Sequence, residues 1–226
     1  MAIQYISGTS AGSTTGANVT TSAIDTTNAN LIVISLAYYS NGVINISDNK
    51  GNTYTARTVY SGTIPKHVLY YCLNPTVGSG HTFTVTSSSS LPTISVMAFS
   101  GIKATGAYHS ENGFGGSSTI SQQTGSVTPP EDNCLIITGV NAYGNTSAST
   151  INSGFSDPAT TGTYTLTDAG HHFGGAISYL IQNNAATVNP TWTYGGVATT
   201  SAAMSIAVFK SDGTSNTKAS FLLNFM

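Results

Sequence analysis

Two short, nearly continuous apolar runs stand out from an otherwise hydroxyl-rich chain: Leu31–Tyr39 (LIVISLAYY) and Leu135–Val140 (LIITGV). Each is too short for an ordinary helix and too rich in β-branched side chains to favour one, so each predicts a buried strand. After the first run, apolar and polar positions alternate as they do in half-buried strands. The segments are Val43–Ser47 (VINIS), Asn52–Tyr60 (NTYTARTVY), His67–Leu73 (HVLYYCL), His81–Thr86 (HTFTVT) and Pro92–Gly101 (PTISVMAFSG). Asp48–Gly51 (DNKG) and Asn74-Pro75 read as turns, with Gly51 supplying the positive φ that a hairpin requires and Asp48 and Asn49 able to cap their own backbone. Residues 7–30 are Ser, Thr, Gly and Asn with isolated Val19 and Ile24, which predicts a loop and one edge strand. No segment carries a helical period, so the predicted class is all-β.

The order of segments then recurs. Leu135–Val140 repeats Leu31–Leu36, Gly162–Thr167 (GTYTLT) repeats Gly51–Ala56, and Ala176–Ile181 (AISYLI) repeats Val68–Leu73. Thr191-Trp192-Thr193 falls where Thr82-Phe83-Thr84 stands, and Met204–Phe209 matches Ile94–Phe99. Two half-repeats, about 19–101 and 125–212, of about five strands each predict on the order of ten strands. Halves of this size carry few apolar strands and no linker rich in Pro or charge divides them. The expectation is therefore one jelly-roll-like β-sandwich over residues 1–212 with the halves interleaved. Gly101–Pro130 is expected to be a crossing loop with a strand in it. Residues 213–226 are expected to form a linker and an apolar arm.

Composition narrows the function. Only 6% of residues are charged and the net charge is −2, against roughly 25% charged in an average soluble domain. With 12 Tyr, 8 Phe and a Trp the chain is too aromatic for a disordered one. It has no basic cluster to neutralise phosphates, so nucleic-acid binding is set aside. The apolar runs are too short to cross a bilayer as helices. The opening MAIQYISG has neither a positive n-region nor a continuous apolar stretch, so no signal peptide is expected. Cys72 and Cys134 sit in strand-like runs and read as two buried thiols, with a disulfide as the alternative.

The spacing of turns and strands resembles a recurrent, mostly uncharacterised β-sandwich domain. Its pattern is an apolar opening strand, Asp-Asn-x-Gly-Asn-x-Tyr, a Tyr-Tyr strand ending in Asn, a Gly-x-Gly-led Thr-rich strand, and an apolar strand ending Phe-Ser-Gly. These are Leu31–Tyr39, Asp48–Tyr54, Leu69–Asn74, Gly78–Thr86 and Ser95–Gly101, followed by Gly125–Thr128 (GSVT) and Met204–Lys210. The resemblance implies a β-sandwich module of the kind found in phage structural proteins and bacterial surface or secreted proteins. It implies no catalytic residues.

Candidate chemistry is sparse. Asp48, Asn49 and Asn52 could offer oxygens to Ca²⁺, though one carboxylate without EF-hand spacing is explained equally by a hairpin turn. His171-His172, with Asp168 nearby, could hold a metal, yet adjacent strand residues point to opposite faces. Glu111, a lone acid in a Gly-rich stretch, is the candidate for a glycan hydrolase. Tyr108, Phe114, Tyr143, Phe155 and Tyr194, with Trp192, could form a sugar-stacking platform, unless Trp192 is core like Phe83. Beyond a polar linker, Phe221, Leu222, Leu223, Phe225 and Met226 form an apolar arm, suited to packing back on its own sandwich or docking on a neighbour. The expectation is a non-enzymatic phage virion protein, head-decoration or tail-associated, that needs no cofactor and binds copies of itself or other virion proteins. The alternative is a carbohydrate-binding or adhesive module at a bacterial surface.

Overall fold

The computed structural model describes residues 1–13, 18–39, 44–87, 91–117, 120–144, 146–156, 163–166, 172–196 and 201–213. Every regular element among them is a strand. Residues up to Ser100 supply β1 (Gln4–Gly12), β2 (Val19–Thr20), β3 (Leu31–Tyr39), β4 (Ile44–Asp48) and β5 (Thr55–Ala56). They also supply β6 (Tyr60–Ser61), β7 (Pro65–Leu73), β8 (Phe83–Ser87) and β9 (Thr93–Ser100). The remainder gives β10 (Tyr108–Ser117), β11 (Ser121–Gln123), β12 (Cys134–Gly144) and β13 (Thr146–Ile151). It ends with β14 (Thr163–Leu166), β15 (His172–Gln182), β16 (Thr191–Gly196) and β17 (Ser201–Phe209).

The sandwich architecture is present, and the strand order shows the repeat in hydrogen bonds. One large sheet runs β1-β9-β3-β7-β5, with β6 also on β7, and the other runs β10-β17-β12-β15-β14. Two small sheets, β2-β8-β4 and β11-β16-β13, follow the same correspondence. Strands thus pair within their own half, which corrects the expected interleaving of the halves in one sandwich. Each half is a sandwich, and the two large sheets pack against each other, giving four layers. The repeated unit also begins one strand earlier than the apolar pattern suggested, at β1 and β10. Gly101–Pro130 accordingly holds two strands, β10 and β11, rather than a crossing loop with one.

Four layers explain the continuous apolar runs. A strand in a middle layer is buried on both faces and has no polar side to show. On β3, Ile32, Ile34 and Leu36 pack with Phe83 and Val85 beneath the first small sheet, while Leu31 and Val33 join Leu135, Ile137 and Phe209 between the large sheets. Trp192 takes the place of Phe83 in the second half. It is fully buried with Val140 and Met204, and its Nε1 donates to Thr138 Oγ1 at 3.1 Å.

The seam between the large sheets has a pseudo-two-fold axis. β3 lies against β12, β9 against β15, β7 against β17, β1 against β14 and β6 against β10. Aromatic rings mark the symmetry, because a perpendicular or offset pair gains roughly 0.5–1.5 kcal/mol beyond its buried area. Tyr5 stacks on Tyr179 (5.3 Å, 9°), and its counterpart Tyr108 stacks on Tyr71 (5.9 Å, 7°). Phe99 meets both rings of the first pair edge-on, and Phe209 meets both rings of the second. Even the irregularities repeat, since β1 shifts register between Tyr5 and Ser7 and β10 between Tyr108 and Ser110. Among the described residues no helix is long and apolar enough to cross a membrane.

Candidate functional site

Asp48 ends β4 with its side chain fully buried. One carboxylate oxygen accepts from the backbone N–H of Lys50 (2.9 Å) and Asn52 (3.0 Å), which is how an Asp at the start of a turn holds its own loop. The other accepts from Asn52 Nδ2 at 2.8 Å and from the Tyr54 hydroxyl, and His81 Nε2 stands 3.1 Å away. Burial alone would raise the pKa of this carboxyl, but the hydrogen bonds from Tyr54, Asn52 and His81 outweigh it and hold it below the ordinary value. Burial first and the neighbouring carboxylate second push the Tyr54 phenol far above its usual range. Asn49 donates to Gly80 O and accepts from Thr82 N, and Asn52 accepts from Thr76 N. The oxygens considered for Ca²⁺ are thus taken up by N–H and O–H donors, and Asp-Asn-x-Gly-Asn-x-Tyr acts as a turn lock between the layers. Among the described residues no three His, Cys, Asp or Glu gather as a metal site. His171 and Asp168 lie outside the described residues, as does the side chain of His172.

Glu111 is not a lone loop acid. It lies on β10, accepts from Arg57 Nε at 3.0 Å and from Thr58 N at 3.3 Å, and takes a further bond from the Thr58 hydroxyl. Arg57 lies over the Tyr108 ring (3.8 Å to its centre) and donates to the Tyr108 hydroxyl at 2.7 Å. Burial works against the Arg57 cation, but the Glu111 bond prevails and raises its pKa. The pair clips one half to the other.

Among the described side chains the stacking platform is not assembled. Tyr108 belongs to the seam, Phe155 is buried with Ile136 and Ile206, Phe114 packs beside Met204, and Tyr143 faces Tyr39 (6.2 Å). Tyr194 lies on β16, with its side chain outside the described residues. The arm residues Phe221, Leu222, Leu223, Phe225 and Met226 also lie outside them. Cys72 and Cys134 are free thiols, Cys134 buried and Cys72 half-buried, and burial raises the pKa of both.

Two features escaped the sequence reading. His67, on β7, is fully buried in the seam between Ser35 Oγ (Nε2, 2.8 Å) and Ser205 Oγ (Nδ1, 3.1 Å). Ser35 donates to Ala176 O at 3.3 Å, an order of bonds that assigns the ring proton to Nε2. Burial lowers the pKa of this imidazole to about 3. The second feature is a cleft of about 280 Å³ beside β4, lined by Ile44, Asn45, Ile46, Thr53, Tyr54 and Tyr70, with Asn52 at its edge. Alternation in β4 points Ile44 and Ile46 inward, and the cleft opens where the small outer sheet stops short of the β7–β5 margin of the large one. Two phenol rings, an exposed amide on Asn45 and aliphatic flanks give it a geometry that can receive a ligand.

No family model, no curated protein and no solved structure matches the chain.

Proposed function

We propose that the protein is a non-enzymatic structural component of a phage virion, in a head-decoration or tail-associated position, that works in assembly and surface display. The observation that carries this reading is where the acids are used. The carboxylates of Asp25, Asp48, Glu111, Asp132 and Asp212 each accept a bond from the protein itself. These five carboxylates therefore serve to fix turns and layers, and few charged groups remain on the surface. A four-layer stack with a neutral exterior suits a part that must be stiff and must not bind indiscriminately. The apolar run Phe221–Met226 supplies a means of holding neighbours.

Light scattering on a sizing column, comparing the full chain with a truncation after Asp212, tests the reading. A trimer or larger species that falls to monomer on truncation is expected. Two clean monomers would overturn assembly through the arm.

A second reading, a carbohydrate-binding module of a bacterial surface protein, is favoured by the Tyr54–Tyr70 cleft with its amide rim. Retention on a polysaccharide column by a chain that does not self-associate would put it first.

A further inference from the structure

The outer sheet β2-β8-β4 has fewer strands than the sheet it covers, and it ends at β4. Among the described residues β4 pairs only with β8, so its far side is an unpaired strand edge there, which natural sheets usually cover or charge. The cleft floored by Tyr54 and Tyr70 lies beside that edge, with half-buried Ile44 and Ile46 on its wall. A further strand about 4.8 Å outside β4 would lie over this floor.

The chain itself carries a segment of the right kind. Phe221–Met226 is free of charged side chains, and in extended form it would present Phe221, Leu223 and Phe225 on one face and Leu222, Asn224 and Met226 on the other. Its point of departure lies across the sheet from this cleft. Asp212 donates its N–H to Gly101 O just past β9 and holds the Met1 ammonium, so the chain leaves on the β1–β9 margin, whereas the cleft opens on the β7–β5 margin. A donor on one margin with a receptor on the other is the layout of a head-to-tail contact between copies.

We infer that the free edge of β4, with the Tyr54–Tyr70 cleft, is the receptor for the Phe221–Met226 segment of a second copy, which adds to the sheet as a strand. The inference rests on the assembly reading above and gives it an address. Main-chain hydrogen bonds to β4 supply the register, and Phe221, Leu223 and Phe225 fill the cleft.

Disulfide trapping tests it in the full chain with Cys72→Ser, which removes the half-buried native thiol. Chains bearing Asn45→Cys, an exposed position on β4, are mixed with separately tagged chains bearing Asn224→Cys under mild oxidation. The expected product is a covalent species of twice the chain mass containing both tags. In the double variant, a crosslink that stays within one chain would overturn the inference by showing that the arm covers its own edge. Absence of any crosslink, with an oligomer still lost on truncation after Asp212, would overturn this docking site and leave the assembly reading standing. Absence of both would remove the two together. Saturable shifts of the Tyr54 and Tyr70 resonances with an oligosaccharide, in place of crosslinking, would give the cleft to a glycan instead.

Discussion

A single imidazole sets the chemistry of the seam. His67 is held neutral between two hydroxyls, because burial penalises the charged ring. Its folded pKa, about 3, lies below the ordinary 6.5, so the unfolded chain binds a proton that the folded chain refuses between those values. Its contribution to stability is full above pH 6.5 and is lost as pH falls towards 3. Asp48 also loses its stabilising effect in acid, but only as pH drops below its unfolded value of 3.8 and through the lower folded one. Urea unfolding followed from pH 7 to pH 4 should therefore show a steady loss of stability in the native chain. His67→Gln should be less stable at pH 7 yet flatter across that range, and parallel slopes would refute the assignment. Space at this point is as tight as charge: a Cβ on Gly139 would stand 2.3 Å from Ser35 Oγ and 2.4 Å from His67 Nε2.

Elements were legible in proportion to how much apolar surface they bury. β3, β7, β9, β12, β15 and β17 lie in the middle layers, and their apolar runs and mutual repetition were visible in the residues. β1 and β10 were not, and they are the same element in the two halves. Each is a sheet edge rich in Ser and Gly, where close packing replaces hydrophobic pattern: a Cβ on Gly115 would meet Ser61 O at 2.1 Å. The turn at Asp48–Tyr54 was legible as a turn, but not as a buried lock, because the groups that enclose it, His81 beside the carboxylate and Thr76, Gly80 and Thr82 on the Asn side chains, come from elsewhere in the chain. That lock yields a prediction at its own scale. Asp48→Ala leaves the Asn52 and Tyr54 donors and the Lys50 N–H without their acceptor and should cost about 3 kcal/mol or more in urea unfolding. A loss under 1 kcal/mol would mean the turn closes without it. The cleft beside β4 was unreadable from sequence, since it arises from the unequal widths of two packed sheets.

At the scale of the whole molecule, the two sandwiches share the residues between them. Leu31, Val33, Leu69 and Phe99 from one half form a single cluster with Leu135, Ile137, Ile177 and Phe209 from the other, and Arg57–Glu111 and Asn141 cross the same boundary. Neither half can open its large sheet without exposing that face, so the pair should unfold together. The single Trp reports on the second half and hydrogen exchange at β3 amides on the first. The same unfolding free energy from both probes is expected, and two separated transitions would show that the halves are independent.

The pseudo-two-fold seam has the form of an interface between identical subunits joined into one polypeptide, and the join matters at the axis. β3 and β12 face each other there, and the axis residues differ: Ser35 stands opposite Gly139, and His67 has Gly175 as its counterpart, whose own Cβ would lie 2.7 Å from Ala37 Cβ. A true homodimer would have to bring two imidazoles to the same place, and no room exists for the second. Covalent linkage lets one copy keep the histidine while the other gives up its side chains to admit it. The chain is in effect an obligate heterodimer whose subunits can never be exchanged, diluted apart or mispaired.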